Sequence, residues 1–220
     1  MAVFKKNLTS KIISDNLINL IKNSKKNLKI LEIGCGDGNI SRRAMIVDKT
    51  CEHKFYLSDI SKEAIEVVKK KIKRKKVIIK RGSIFEPWKG YTFDIIISDV
   101  SSISDEIANY SSWYRGVKND AGLDGLKNIK VIIKNVKNLM TKNGIFIFPI
   151  ISLCNIGDLK KLAKKKFRSI NFTKKIYWPL PKFFTIRINK FEKLKKQRLI
   201  NYDDKYGLCI AYTHIAICKK

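Results

Sequence analysis

The sequence is short of the features that mark secreted, disulfide-bonded and membrane-spanning proteins. Its five cysteines are odd in number and form no C-x-x-C pair, which argues against a disulfide framework and against a zinc site. No stretch reaches the roughly 18 apolar residues that a membrane helix needs. Residues 1–7 carry neither the apolar core nor the cleavage site of a secretory signal. We therefore expect a cytoplasmic protein with no metal site and no membrane partner.

Acidic residues are also scarce, because 19 Asp and Glu stand against 47 Lys and Arg, for a net charge of +28. Such a surface attracts polyanions, and nucleic acid is the obvious one. Lysine far outnumbers arginine, however, whereas nucleic-acid readers rely on arginine forks. A chain rich in Lys, Ile and Asn is also typical of an AT-rich genome. Charge alone thus leaves two interpretations open: a partner that is RNA or a ribonucleoprotein, and a charge that is only compositional.

No linker rich in Pro, Gly or Ser interrupts the chain, so we expect one domain over residues 1–220. Strand-like and helix-like segments alternate up to about residue 150, which predicts a parallel α/β sheet. The predicted strands are residues 28–33, 55–57, 77–79, 93–98, 145–151, 176–178 and 209–217. The predicted helices are residues 12–21, 126–140 and 159–167 and segments that start near 39 and 62, with a turn at Asn143-Gly144. Residues 179–205 are predicted to form a basic insertion over the substrate side.

A glycine-rich turn follows the first predicted strand, in the order Glu32-Ile33-Gly34-Cys35-Gly36-Asp37-Gly38. Glycines let the backbone approach a ligand closely, and doubly wound sheets bind ligands at the carboxyl ends of their strands. A dinucleotide fingerprint would require a glycine at position 39, where this chain has Asn39. The order E-x-G-x-G-x-G closely resembles motif I of the class I S-adenosylmethionine-dependent methyltransferases.

The resemblance implies a doubly wound, Rossmann-like methyltransferase sheet of seven strands, mostly parallel with an antiparallel last strand. It also implies S-adenosyl-L-methionine as the cofactor. Asp59 ends the second strand, where an acid accepts hydrogen bonds from ribose hydroxyls, although it could instead cap the next helix. Ser83 stands in the turn that follows the adenine ring in the family. The predicted cofactor-binding residues are Glu32, Gly34, Cys35, Gly36, Gly38, Asp59, Ile60, Ser83, Ile84 and Asp99.

Asp99 leaves the fourth predicted strand, at the place that faces the methyl donor in the family. It is the candidate catalytic residue, because a carboxylate there can hold or deprotonate the incoming nucleophile. Two other roles stay open for it, namely capping the next segment and binding the ammonium end of the cofactor.

Two resemblances bear on the substrate. The blocks at residues 82–87, 93–98 and 122–126 resemble the glutamine N5-methyltransferases of peptide release factors, but Asp99-Val100-Ser101-Ser102 replaces their Asn-Pro-Pro-Tyr. Residues 99–104 resemble the haemolysin-like ribosomal RNA 2′-O-methyltransferases, without the second lysine expected after the fifth strand. We expect a methyltransferase that acts on RNA or a ribosome-associated protein. The alternatives are a small-molecule methyltransferase and a cofactor-binding module without catalysis.

Two basic regions could contact phosphate. The basic run at residues 69–76 ends a predicted helix. Its first interpretation is a solvated helix face, and direct phosphate contact is the alternative. Residues 174–191 mix cations with aromatic rings, which suits stacking of unpaired bases but also an ordinary edge strand. Trp113 and Tyr114 are candidates for a substrate pocket or for plain core packing.

Overall fold

The computed structural model describes residues 7–50, 52–114, 119–205 and 207–220. Its helices are α1 (Leu8–Lys22), α2 (Asn39–Val47), α3 (Lys62–Lys71), α4 (Asp105–Ala108), α5 (Lys127–Asn135), α6 (Ile156–Lys166), α7 (Lys182–Ile186) and α8 (Ile188–Lys196). Its strands are β1 (Lys29–Ile33), β2 (Lys54–Asp59), β3 (Val77–Arg81), β4 (Phe93–Ser98), β5 (Met140–Ile151), β6 (Ser169–Phe172), β7 (Ile176–Pro179), β8 (Asp203–Lys205) and β9 (Leu208–Lys219). In these ranges no helix combines the length and the apolar character needed to cross a membrane.

The strands of the described residues form one sheet in the order β3-β2-β1-β4-β5-β9-β6. Strands β1 to β5 are parallel, and β9 is antiparallel to β5, so the predicted fold class is confirmed. Strands β7 and β8 also pair with β9, which gives nine strands rather than seven. The two unpredicted strands, β6 and β8, have four and three residues and carry no continuous apolar run. They form because the long β9 offers them a pairing edge.

The start of β5 differs from the prediction. Helix α5 ends at Asn135, a 3-10 turn covers Val136–Leu139, and β5 begins at Met140. The chain folds back tightly at the predicted turn Asn143-Gly144, where a Cβ on Gly144 would lie 3.0 Å from the Thr141 carbonyl oxygen, although β5 runs through it. Residues 141–144 bulge out of the pairing with β4. The register therefore shifts between the Phe93–Met140 and Ile95–Ile145 pairs.

Side chains of the sheet alternate between two hydrophobic layers. On one face, Ile30, Phe55 and Ile97 pack with helices α1, α2 and α3. On the other face, Leu31 and Phe148 pack with helices α5 and α6. Each such buried side chain contributes about 1.5–3 kcal/mol of transfer free energy. Helices therefore cover both faces and leave the carboxyl ends of the strands open at one edge.

Residues 179–205 form α7, α8 and β8 at that open edge. Their core is a third cluster around Phe184 and Phe191, whose ring centroids lie 4.3 Å apart. The cluster includes Ile103 and Ile107, which follow β4. Strand β7 is antiparallel to β9, and β9 is antiparallel to β5, so β7 runs parallel to β5. The segment therefore begins at the same edge at which β5 ends.

Candidate cofactor and acceptor site

A cavity of about 630 Å³ opens at the carboxyl ends of β1, β2 and β4. Strand order reverses between β1 and β4, which is where doubly wound sheets bind their ligands. The predicted cofactor residues that line the cavity are Glu32, Gly34, Cys35, Gly36, Asp59, Ile60, Ser83, Ile84 and Asp99. Gly38 is not among the lining residues. It takes φ +72° at the start of α2, and a Cβ there would lie 3.2 Å from Val68 of α3, so its place is in helix packing.

The glycine turn is tied to β2. The amides of Gly34 and Cys35 donate to the Ser58 carbonyl at 2.9 and 3.0 Å. The amide of Gly36 donates to the Asp59 carboxylate at 2.9 Å. Gly34 has φ +71°, and a Cβ there would meet Val100 Cγ1 at 3.0 Å, so no larger residue fits without movement. The turn thus brings bare backbone to the cavity floor.

The two interpretations of Asp59 are compatible with each other. One carboxylate oxygen accepts from Gly36, and the other accepts from the Ser61 amide at 2.9 Å, beside the start of α3. The hydroxyl of Ser61 is the cap itself, because it accepts from the Ala64 amide. Each carboxylate oxygen can accept more than one hydrogen bond, so Asp59 keeps acceptor capacity for ribose hydroxyls.

Glu32 is only 1% exposed and anchors helix α2. Its carboxyl accepts from the Ser41 amide at 3.1 Å and from the Ser41 hydroxyl. Burial raises the pKa of Glu32 to about 8, against the lowering effect of the Ser41 hydrogen bonds. At neutral pH this group is mostly protonated, and its clearest role is to fix the helix that follows the glycine turn.

Two isoleucines stand at the edge predicted for the adenine ring. Ile60 is 68% exposed, which is unusual for so large an apolar side chain at the lip of a cavity. Ile84 takes φ +43°, a region that β-branched residues rarely adopt. Strain of this kind concentrates at ligand sites. The exposed Ser83 also lines the cavity, and its amide donates to the Glu86 carboxylate at 3.3 Å.

Asp99 lines the cavity directly after the end of β4. Its carboxylate accepts from the Ser10 hydroxyl at 2.9 Å, which joins it to the first turn of α1. Burial raises the pKa of Asp99 to about 7, against the effect of this hydrogen bond. No helix begins directly after it, since α4 starts at Asp105, so the capping role has no support. Roles toward the nucleophile and the cofactor stay predictions.

The first turn of α1 is a wall of the site that the sequence did not reveal. Asn7, Leu8, Thr9 and Ser10 line the cavity, and Asn7 caps the helix by accepting from the Ser10 amide at 2.9 Å. The Asn-x-x-Ser spacing signals a helix start. Its contact with Asp99 spans 89 positions, which no local pattern encodes.

Aromatic side chains form the outer end of the cavity. Trp113, Tyr114 and Trp178 line it, and a substrate role for the first two stays a prediction. The rings of Trp113 and Trp178 meet edge to face with centroids 5.7 Å apart. The Trp178 indole N–H donates to the Thr213 hydroxyl at 3.1 Å. Trp113 packs on Phe183 of α7, with their ring centroids 6.0 Å apart. The segment 179–205 therefore supports the outer end of the cavity.

Comparisons with known proteins agree with this geometry. Residues 24–202 match the model of the methyltransferase domain family. The ribosomal protein L11 methylase of Lactobacillus delbrueckii subsp. bulgaricus has a similar structure, with a TM-score of 0.56 and 15% identity over 99% of this chain and 81% of that one. A methyltransferase from Pyrococcus furiosus gives a TM-score of 0.54 and 17% identity over 94% and 82%. No curated protein matches the sequence significantly.

The family model covers most of the chain. At these identities the structural matches support the fold alone. The protein belongs to the methyltransferase domain family and is an S-adenosylmethionine-dependent methyltransferase.

Proposed function

We propose that this methyltransferase modifies a component of a ribonucleoprotein, either RNA or a protein bound to it. One observation carries the proposal: positive charge is kept outside the cavity. The chain has a net charge of +28, yet no Lys, Arg or His is among the described residues that line the cavity. The cations of the described residues therefore lie outside the cavity lining, where they attract a polyanion at long range.

The cavity itself fits S-adenosylmethionine. Its volume is of the size that small ligands fill, and Gly34 leaves room that a Cβ would take. Asp59 would accept from the ribose, Ile60 and Ile84 would cover the adenine, and Asp99 would face the positive end. The donor supplies an activated methyl group, so the chain's own task is to align the nucleophile.

The two basic regions differ in position. Residues 69–76 end α3 and lead into the amino end of β3, which is the sheet edge opposite the cavity. Segment 179–205 lies at the cavity edge and carries Lys182, Lys193 and Lys196 on its surface. Among the described residues these three lysines have no ion-pair partner. They are the cations best placed to hold a polyanion while the acceptor enters the cavity.

Binding to purified ribosomal particles tests the proposal. Each released counterion adds about 0.7 to the salt slope on single-stranded RNA, so replacing Lys182, Lys193 and Lys196 by Gln should lower the slope by about 2. The matched control replaces Lys69, Lys70 and Lys73 by Gln at the opposite edge and should change transfer of tritiated methyl little. A small neutral acceptor would give no salt slope, and labelling of metabolites alone would contradict the proposal.

A catalytically silent module is the remaining alternative. Such a module would bind the donor and transfer methyl to no particle, extract or metabolite. Any transfer that the wild type performs and Asp59→Ala loses excludes it.

A further inference from the structure

Four rings form a row across the last strands of the sheet. Phe172 of β6 stacks on His214 of β9 with ring centroids 5.4 Å apart. Tyr212 meets His214 at 5.8 Å, and Tyr177 of β7 meets Tyr212 at 5.8 Å. Ala216 lies two positions after His214 on β9 and packs in the hydrophobic layer of α5 and α6. This ring row therefore lies on the side of the sheet that those helices cover.

Three lysines lie together beside the ring row. The Nζ atom of Lys160, on α6, is 5.0 Å from the centroid of the Phe172 ring. The Nζ atom of Lys175, in the link between β6 and β7, is 4.2 Å from the centroid of the Tyr212 ring. Lys164 follows Lys160 by one helical turn. Burial lowers the pKa of Lys160, and the charges of Lys175 and Lys164 lower it further, so the three ammonium groups are close enough to repel one another.

Protein carboxylates do not neutralise these lysines. In the part of the chain that the structure describes, Lys160, Lys164 and Lys175 form no ion pair. The Asp203 carboxylate acts on Tyr212 from β8, yet it pairs with none of the three. Like charges held close together cost free energy in the unbound protein, and a bound anion removes that cost. The contacts with the rings hold two of the ammonium groups in place, so little ordering remains when an anion binds.

One end of the ring row is open to a planar ligand. Tyr177 is 54% exposed, whereas Tyr212 and His214 are 7% and 3% exposed. Proteins bind single-stranded nucleic acid with cations that follow the backbone and with exposed rings on which bases stack. A double-stranded RNA keeps its bases inside the helix and offers none to such a ring. The combination of clustered lysines and one accessible tyrosine therefore favours an unpaired strand.

We propose that the three lysines and Tyr177 form a docking surface for single-stranded RNA of the ribonucleoprotein. Phosphates lie on the ammonium groups, and one base stacks on the tyrosine ring. The inference rests on the proposed function and names the part of the particle that the enzyme holds. Trp178 is next to Tyr177 on β7, so its side chain points to the other side of the sheet, where it lines the cavity. RNA on the docking surface thus leaves the cavity open to the methyl acceptor.

Binding of the whole protein to a fluorescent decamer of uridylate, followed by anisotropy, tests the surface. Each phosphate contact adds about 0.7 to the salt slope, so replacing Lys160, Lys164 and Lys175 by Gln should lower the slope by about 2. The same triple variant should bind the decamer at least tenfold more weakly at about 0.1 M salt. Tyr177→Leu should weaken binding at least fivefold and leave the slope unchanged, because it removes a ring and no charge.

The controls separate this surface from general charge and from folding. Replacing Lys69, Lys70 and Lys73 by Gln removes the same charge at the opposite edge of the sheet and should weaken binding less than threefold. Tyr177→Phe keeps the ring and should bind the decamer as the wild type does. Inorganic polyphosphate carries no bases, so Tyr177→Leu should bind it with wild-type affinity. Every variant should bind S-adenosylmethionine normally, since none of the replaced residues lines the cavity.

Three results would overturn the inference. The first is an equal loss of affinity in the two triple lysine variants. The second is a Tyr177→Leu variant that binds the decamer as tightly as the wild type. The third is tighter binding of an RNA duplex or of a polyglutamate peptide than of the decamer, which would give the surface another partner.

A transfer experiment tells failure of this inference from failure of the proposed function. Ribosomal particles from cells that lack the enzyme are incubated with tritiated donor and with the wild type or the variant of Lys160, Lys164 and Lys175. A docking role predicts a KM for particles at least tenfold higher in the variant, with kcat within about twofold. Equal KM values would overturn the docking surface and leave the proposed function standing. Label in metabolites alone would overturn the proposed function, and the decamer titration would still decide the surface.

Discussion

Replacing Asp99 by Asn should remove most of the pH dependence of S-adenosylmethionine binding. The side chain lines the cavity, where burial raises its pKa to about 7, and no cation of the described residues opposes that shift. The donor carries a positive sulfonium, so it favours the ionised carboxylate and binding releases the proton that Asp99 holds. We therefore expect donor binding to lower the pKa of Asp99.

The size of the effect follows from that pKa. With a pKa of about 7, the ionised fraction of Asp99 falls about 25-fold between pH 7.5 and pH 5.5, or about 1.9 kcal/mol. Donor affinity should fall by up to that factor in the wild type and stay nearly flat in Asp99→Asn. At pH 7 about half a proton should be released for each donor bound.

Calorimetry in two buffers of different ionisation enthalpy measures both quantities. Glu32 also has a raised pKa near the cavity, and Glu32→Gln is the control that should keep the Asp99 component. If wild type and Asp99→Asn lose affinity in parallel, with no proton released at pH 7, then Asp99 does not face the positive group of the donor.

Three further changes test the structure more widely. Gly34→Ala should lower the free energy of unfolding by about 1–2 kcal/mol and should also weaken donor binding. Gly90→Ala, at φ +79° with no neighbour near the added Cβ, should lower stability by a similar amount and leave donor affinity unchanged. Equal donor affinity in the two variants would contradict the close approach at Gly34. His214 is 3% exposed, and burial lowers its pKa to about 4. Between about pH 6.5 and 4 the unfolded chain binds a proton at this residue and the folded chain does not, so stability falls as the pH falls. Urea titrations should show wild type losing about 2 kcal/mol relative to His214→Phe from pH 6.5 to 4.5, and a pH-independent difference would refute that burial. Arg74→Met should lower the free energy of unfolding by about 3–5 kcal/mol, because it leaves the buried Asp48 carboxylate without its cation. Lys127→Met, at an exposed ion pair, should lower it by less than about 1 kcal/mol. Denaturant midpoints that shift equally would show that the Arg74 pair is not buried in solution.

The parallel half of the fold was predictable because its strands are rich in apolar residues and β1 and β2 end in recognisable motifs. The E-x-G-x-G-x-G order also predicted the edge of the sheet at which the ligand binds. A glycine turn between a parallel strand and a helix lies at the carboxyl end of that strand. Gly38 shows the limit of that reasoning: its left-handed backbone serves the packing of α2 against α3. A glycine pattern predicts where the backbone adopts a left-handed conformation or approaches a neighbour closely. It does not predict whether that neighbour is a ligand or another helix.

The other half depends on contacts between distant parts of the chain. Strands β6 and β8 are too short and polar to be seen locally and exist because β9 spans twelve residues. The turn at Asn143-Gly144 lies inside β5 as a bulge because residues on both sides of it pair with β4. The Ser10–Asp99 bond and the Trp113–Trp178 pair join segments that lie 89 and 65 positions apart, so the walls of the site are tertiary features.

Calorimetric titration of the purified protein with S-adenosylmethionine tests the central claim most directly, with NAD as the competing ligand and Asp59→Ala as the comparison. The account predicts saturable binding of one donor per chain, at least tenfold weaker in Asp59→Ala and absent for NAD. Failure to bind the donor, or a preference for NAD, would contradict it.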